Sequence, residues 1–170
     1  MTIHTTYIIA GSNIAPRITF IKSAAKIILA QGLEISHASS YYESSPWGFQ
    51  SGTNFLNRVF EIKTTLQPHA LLKSILETEK KLGRKKHHKP GYHSRSIDLD
   101  ILFYDELIID DHDLTLPHPK IAERKFVLEP LHEIIPQFIH PVKQKSIASL
   151  LAQCKDTTRV EKISGISAKK

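Results

Sequence analysis

The stretch Arg95-Ser96-Ile97-Asp98-Leu99-Asp100-Ile101-Leu102-Phe103-Tyr104 decides how the rest of the chain is read. Side chains along a strand alternate between its faces. A strand over 97–104 therefore turns Ile97, Leu99, Ile101 and Phe103 one way and Asp98 and Asp100 the other. Aspartate is a poor strand former, and adjacent like charges repel, so the pair needs a compensating cation or full hydration. A hard divalent ion such as Mg²⁺ suits it, because Mg²⁺ takes oxygen ligands and is commonly held by one or two carboxylates plus phosphates. A solvated strand face whose charges discourage edge pairing fits the same short pattern.

Immediately upstream, Arg84, Lys85, Lys86 and Lys89 join Arg95 around Pro90 and Gly91. Arginine grips phosphate oxygens through two donors and lysine adds a mobile point charge, so this loop suits a polyphosphate. A solvated basic loop or a nucleic-acid patch fits the cations equally when they are taken alone. His87 and His88 are adjacent and lack the spacing of a zinc site.

Further upstream, Leu71, Leu72, Ile75, Leu76 and Glu79 keep helical register over about 68–82, with Gly83 as the stop. Strands are expected over 55–65 and 35–42, where β-branched and aromatic residues gather. The long segment between them, 44–53, reads as a functional loop. Tyr7-Ile8-Ile9-Ala10 is a buried strand ending in a turn at Gly11-Ser12-Asn13, which matches neither the dinucleotide fingerprint nor Walker A. A helix follows from near Pro16 to Gly32. The order β-α-β-β-α-β defines an α+β, ferredoxin-like sandwich with a mostly antiparallel sheet, helices on one face and the other face free. Beyond it, 107–109 is expected as an edge strand, 114–119 as a loop, 126–135 as a short helix and 147–151 as a weak amphipathic stretch before a loosely held polar end.

The 170 residues fit one domain, and no apolar run approaches the roughly 20 needed to cross a bilayer. No basic flank leads into an apolar segment at the N-terminus, so a cytoplasmic location is expected. The net charge of +6 suits an anionic ligand. The single cysteine, Cys154, has no intrachain partner. Trp47, Phe49, Phe55 and Phe126 suit stacking on a planar heterocycle or ordinary core packing, and His118 in a proline-flanked loop suits a phosphate contact or a plain surface position.

Taken in order, Gly11-Ser12-Asn13, Ser44-Ser45-Pro46-Trp47-Gly48, Phe55-Leu56-Asn57, Glu79 with Gly83-Arg84, the Arg95 to Ile101 run, Leu114-Thr115-Leu116-Pro117-His118, and Arg124-Lys125-Phe126 followed by Pro130-Leu131 resemble the 6-hydroxymethyl-7,8-dihydropterin pyrophosphokinase family. The resemblance covers most of 7–141. It implies transfer of pyrophosphate from ATP to the hydroxymethyl group of a reduced pterin, with AMP released, for folate biosynthesis. It further implies two Mg²⁺ ions on Asp98 and Asp100, catalytic roles for Arg84, Arg95, Asp98 and Asp100, and a pterin site of Ser44, Ser45, Trp47, Phe55, Asn57, Asp98 and Phe126. The matching ATP set is Glu79, Arg84, Lys86, Arg95, Ile101, Thr115, His118 and Arg124. Residues 1–142 would form the pyrophosphokinase domain and 143–170 an extension packing on it or trailing from it. A monomer binding neither nucleic acid nor membrane is expected. The chain departs from the family pattern at Lys86, Tyr92, His93-Ser94 and Pro119.

Overall fold

Alternating side chains on the long strands sort the apolar residues into two cores, one on each face of a single sheet. The computed structural model describes residues 1–48, 52–83 and 94–166. In chain order the elements are β1 (His4–Ser12), α1 (Arg17–Ala30), β2 (Glu34–Ala38), β3 (Tyr42–Ser44), β4 (Phe55–Thr64), α2 (Pro68–Lys81), β5 (Asp98–Tyr104), β6 (Ile109–Asp110), β7 (Thr115–Leu116), a 3-10 turn (Ile121–Glu123), α3 (Lys125–Ile134), α4 (Ile147–Gln153) and β8 (Val160–Lys162). β1 lies between β5 and β4, and β2 and β3 follow one another along the far edge of β4, every pairing antiparallel. With β2 and β3 counted as one interrupted strand, this is the expected ferredoxin-like plan.

The first core joins Ile8, Ala10, Leu56, Phe60, Leu99 and Ile101 of the sheet to Ile21 and Ile28 of α1 and Leu71 and Ile75 of α2. Both helices end at glycines with positive φ, Gly32 at 83° and Gly83 at 81°, a conformation that costs glycine least. The second core places Tyr7, Ile9, Val59, Leu102 and Phe103 under Val127, Leu128 and Leu131 of α3 and Ile147 and Leu150 of α4. The face expected to be free is thus covered over much of its length, because α3 and α4 carry enough apolar surface to close it.

Three further expectations are corrected. Phe103 does not share the face of Ile97, Leu99 and Ile101. The β1–β5 register passes from Tyr7↔Phe103 to Ile8↔Ile101, and this bulge around Leu102 puts Phe103 in the second core and Tyr104 in the first. The strand expected over 35–42 is broken between β2 and β3. At the break, Arg58, only 7% exposed, donates from Nε to the Ser39 carbonyl (2.8 Å) and from Nη1 to the Tyr41 hydroxyl (3.2 Å), so the kink satisfies a buried guanidinium. The segment around 107–109 joins no edge of the main sheet: β6 and β7 make a separate two-stranded hairpin.

The C-terminal segment is also more integrated than a loosely held end. Ser146 caps α4 by accepting from Ser149 N, and β8 pairs with β3 to extend the main sheet.

Candidate active site

The second core stops short of one end of the sheet, and there the same face becomes a cleft. Cross-strand pairing builds its floor. Gly11 of β1 lies opposite Asn57 of β4 on one side and Asp98 of β5 on the other, while Asn57 also faces Tyr42 of β3. The next row inward is Val59, Ile9 and Asp100. Adjacent strands sit about 4.8 Å apart. Residues remote in sequence are therefore side by side here, and the two aspartates are consecutive members of one face of β5, as the alternation of 97–102 predicts.

All seven residues expected around a pterin line this cleft: Ser44, Ser45, Trp47, Phe55, Asn57, Asp98 and Phe126. Asp100, Arg95 and Arg124 line it too. Asn57 and Ser44 are nearly inaccessible, and Asn57 Nδ2 donates to Ser44 Oγ at 2.9 Å. A buried amide held this way presents a fixed edge to whatever enters. Arg124 sits at the start of α3, its guanidinium carbon 4.8 Å from the centre of the Trp47 ring and 5.7 Å from that of Phe126. Cation–π attraction holds the charge between the rings.

Arg95 Nη1 donates to Asp98 Oδ1 at 2.7 Å, with about a quarter of each side chain exposed. Its backbone is clamped by Asn13, whose Oδ1 accepts from Arg95 N (2.7 Å), whose backbone N donates to Arg95 O (3.2 Å), and whose Nδ2 donates to Ser94 Oγ (3.2 Å). Asn13 is 2% exposed. Taken by its residues alone Gly11-Ser12-Asn13 is a turn, and in the structure it supplies both this clamp and part of the cleft floor. At Gly11 a Cβ would lie 3.0 Å from Asn57 Oδ1, so the close approach of β1 to that amide favours glycine. Ile9 is the other lining residue that sequence reasoning did not single out. Its signal was present as the inward-facing neighbour of Gly11 on the alternating strand.

The remaining ATP expectations divide. Glu79 is 1% exposed, and its Oε1 accepts from Leu99 N at 2.7 Å. It braces β5 from α2 beneath the sheet instead of lining the cleft. Ile101 is 4% exposed in the first core, on the face opposite Asp98 and Asp100, so its side chain points away from them. Thr115 and His118 are not in the cleft lining: Thr115 belongs to the β6–β7 hairpin, and His118 N bonds to Leu102 O at the edge of β5 (2.9 Å). Arg84 and Lys86 fall outside the described residues, as do Phe49, Tyr92 and His93.

Burial, and then the charge of Arg124, push the His118 imidazole down to about 4 against the opposing pull of Asp98. Lys120 N donates to His118 Nδ1 at 3.1 Å, which leaves the ring proton on Nε2. The group is a neutral hydrogen-bond donor near neutral pH.

Among the described residues no cluster of three or more His, Cys, Asp or Glu side chains is arranged to hold a metal. Two neighbouring carboxylates alone fit a hard cation that completes its shell with ligand phosphate oxygens and water. A structural zinc site needs more protein ligands than this.

The fold and cleft together define an α+β domain in which paired carboxylates and arginines meet an aromatic-lined pocket. The chain belongs to the 7,8-dihydro-6-hydroxymethylpterin pyrophosphokinase family, whose model matches residues 7–136. It is 43% identical over 143 residues to 2-amino-4-hydroxy-6-hydroxymethyldihydropteridine pyrophosphokinase of Aquifex aeolicus, covering 84% of this chain and 88% of that one. The enzyme of the same name from Bacillus subtilis is 39% identical over 132 residues, with 77% and 78% covered. A folic acid synthesis protein of Pneumocystis carinii is 41% identical over 150 residues, but the chain spans only 20% of its length. In solved structures the fold matches Plasmodium falciparum HPPK-DHPS with pteroate at a TM-score of 0.72 and 16% identity, over 89% of this chain and 42% of that one. As a family member the chain is a diphosphokinase, a pyrophosphoryl transferase of folate biosynthesis.

Proposed function

We propose that the chain moves the terminal pyrophosphate of ATP to the hydroxymethyl oxygen of 6-hydroxymethyl-7,8-dihydropterin. The pterin oxygen attacks the β-phosphorus, the bond from that phosphorus to the α–β bridging oxygen breaks, AMP leaves, and the hydroxyl proton is lost. The observation that carries this reading is the meeting of two unlike halves in one cleft. Asp98, Asp100 and Arg95 face Trp47, Phe55, Asn57 and Phe126 across a few strand spacings.

The pterin ring lies between Phe55 and Phe126, with its polar edge at Asn57, Ser44 and Ser45. Aromatic faces with a fixed amide edge orient a flat heterocycle while excluding water. Its hydroxymethyl group points to Asp98. Asp98 and Asp100 would hold two Mg²⁺ ions, which when bound would neutralise phosphate charge and align the reacting groups. Arg95, already positioned by Asn13, exchanges its bond to Asp98 for a phosphate oxygen. Arg124 and the neutral Nε2–H of His118 serve the same anion from the other side. Arg84 and Lys86 are assigned to it from sequence. Positioning supplies most of the rate, and the protein needs no covalent nucleophile. A monomer acting in the cytoplasm completes the reading, in keeping with the absence of any helix long and apolar enough to cross a membrane among the described residues.

The deciding experiment mixes purified protein with ATP, Mg²⁺ and 6-hydroxymethyl-7,8-dihydropterin. AMP and the pterin pyrophosphate are expected in equal amounts. Folded protein that forms neither removes the reading.

A further inference from the structure

The cleft has two walls on different elements: Ser44 and Ser45 at the end of β3, and Arg124 with Phe126 at the start of α3. Neither is well held by its own segment. β3 is three residues long. Arg124 occupies the N-cap position of α3 with no side-chain cap, and the first turn holds no acidic residue. An uncapped N-terminus leaves backbone donors unsatisfied and frays.

Residues 156–162 supply what both walls lack. Asp156 Oδ2 accepts from Lys125 N, the first residue of α3, at 2.9 Å, while its Oδ1 accepts from Thr158 N at 2.9 Å. The cap that α3 does not carry locally thus comes from 31 positions further on, as a carboxylate favoured by the helix dipole. Burial opposes the charge on Asp156, but the bonds from Thr158 and Lys125 prevail and hold its carboxyl below the usual range. A few residues on, the chain becomes β8. Ser44 pairs with Val160, Ser45 N donates to Arg159 O (3.3 Å), and Ile163 N donates to Tyr41 O (2.8 Å). The other end of α3 is tied separately, through Glu133, to Ser40, Tyr42 and Lys162. One short segment therefore bridges the two walls at the end where the cleft opens. It lies beyond residue 136, where the family match ends.

We propose that residues 156–162 form a positioning clasp that sets the separation of the two walls, with Asp156 as its positioning residue. The assignment of that end of the cleft to the pterin rests on the function proposed above. The Ser44–Asn57 edge and the Phe126 ring must stand a fixed distance apart to receive a flat ring, whereas Asp98, Asp100 and Arg95 are held by the pairing of β5 with β1 and by the Asn13 clamp, away from the clasp. Its loss therefore falls chiefly on the pterin, with a smaller effect on ATP through Arg124, whose turn the clasp also holds.

The test is kinetic and structural in the full chain. Asp156→Ala is expected to raise the pterin KM roughly tenfold, the loss of charge-assisted hydrogen bonds, while the ATP KM, reached only through Arg124, rises by no more than about threefold. Asp156→Asn, which keeps an acceptor oxygen, restores most of the difference. Bonded pairs alternate along an antiparallel ladder, so Glu161 N faces Glu43 O. Glu161→Pro removes that donor and is expected to reproduce the selective pterin effect. Backbone hydrogen exchange at 44–45 should quicken in Asp156→Ala without any substrate, and quenching of Trp47, the single tryptophan, should rise. Parallel losses of pterin and ATP affinity, or a lower Tm with unchanged pterin KM and unchanged exchange at 44–45, would overturn the clasp. If wild-type protein forms no AMP with the pterin, the proposed function fails by itself, and the exchange at 44–45 still decides whether the walls are coupled.

Discussion

The two faces of the central sheet are made from the same strands and do opposite work. The face under α1 and α2 is sealed: Ile8, Ile21, Ile28, Ile62 and Leu71 have no accessible surface, and even the charged Glu79 is enclosed with a backbone partner. The face under α3 and α4 is sealed over much of its length by a comparable core and then left open, with Gly11, Asn57, Asp98 and Asp100 lining a cleft. The difference teaches that the site is an unfinished core. α3 begins at the cleft, and its first residues supply the cleft wall where they would otherwise have closed it. Strand alternation alone assigns adjacent residues of β5 to stability or to chemistry.

The sharpest way to break this comparison is to mutate neighbours on β5. Asp98→Asn or Asp100→Asn should lower Mg²⁺-dependent turnover by at least about a hundredfold, since metal and charge alignment supply several kcal/mol, with little change in Tm. Ile101→Ala, one residue on and on the other face, should cost about 2–5 kcal/mol of stability by leaving a cavity. Urea unfolding and steady-state kinetics on the three variants check the pattern, and near-normal turnover in both aspartate variants would remove the metal assignment. Next in size, Glu79→Ala should destabilise by about 1–3 kcal/mol because Leu99 N loses its acceptor inside the sealed face. Glu79→Gln should cost less, and an effect confined to ATP affinity would restore Glu79 to the ligand site.

On the open face, Phe126→Ala is expected to weaken pterin binding about tenfold, from lost stacking and burial, with a smaller effect on ATP. Titration calorimetry with each ligand separates the two, and a loss confined to ATP contradicts the stacking role. The smallest effect concerns pH. His118 folds with its imidazole at about 4, below the roughly 6.5 of an unperturbed histidine. Between those values the unfolded chain binds a proton that the folded one does not, so this group makes stability rise with pH across that window. Its destabilising contribution is complete below about 4 and absent above about 6.5. Following the ring protons by NMR should show His118 titrating near 4, and a midpoint near 6.5 would show that the ring is not neutral by burial.

Much of the fold was legible because periodicity is local. The limits of α1, α2 and β4, and the facing of Asp98 and Asp100, all follow from spacing within one segment. The β-bulge at Leu102 was not legible, since it arises from the register against β1 and inverts the side of Phe103. Nor was the cover on the second face. The 126–135 helix was visible, but what it lies against depends on long-range packing. In the site, Asn57, Ser44 and Ser45 drew attention through family resemblance and not through any pattern of their own. Asn13 entered only as part of a matching turn with no role of its own and Asp156 not at all, because their value lies in backbone atoms 82 and 31 positions away.

By itself, the sequence determined the β-α-β-β-α-β plan, the family and the carboxylate pair, because alternation, helix spacing and ordered motifs are written over a few residues at a time. The tertiary structure decided which rows of side chains meet across strands, that Glu79 and Ile101 serve the sealed face, and that the C-terminal segment ties the walls of the cleft. Those outcomes depend on register and on hydrogen bonds between distant segments, and neither is encoded in the spacing of any one of them.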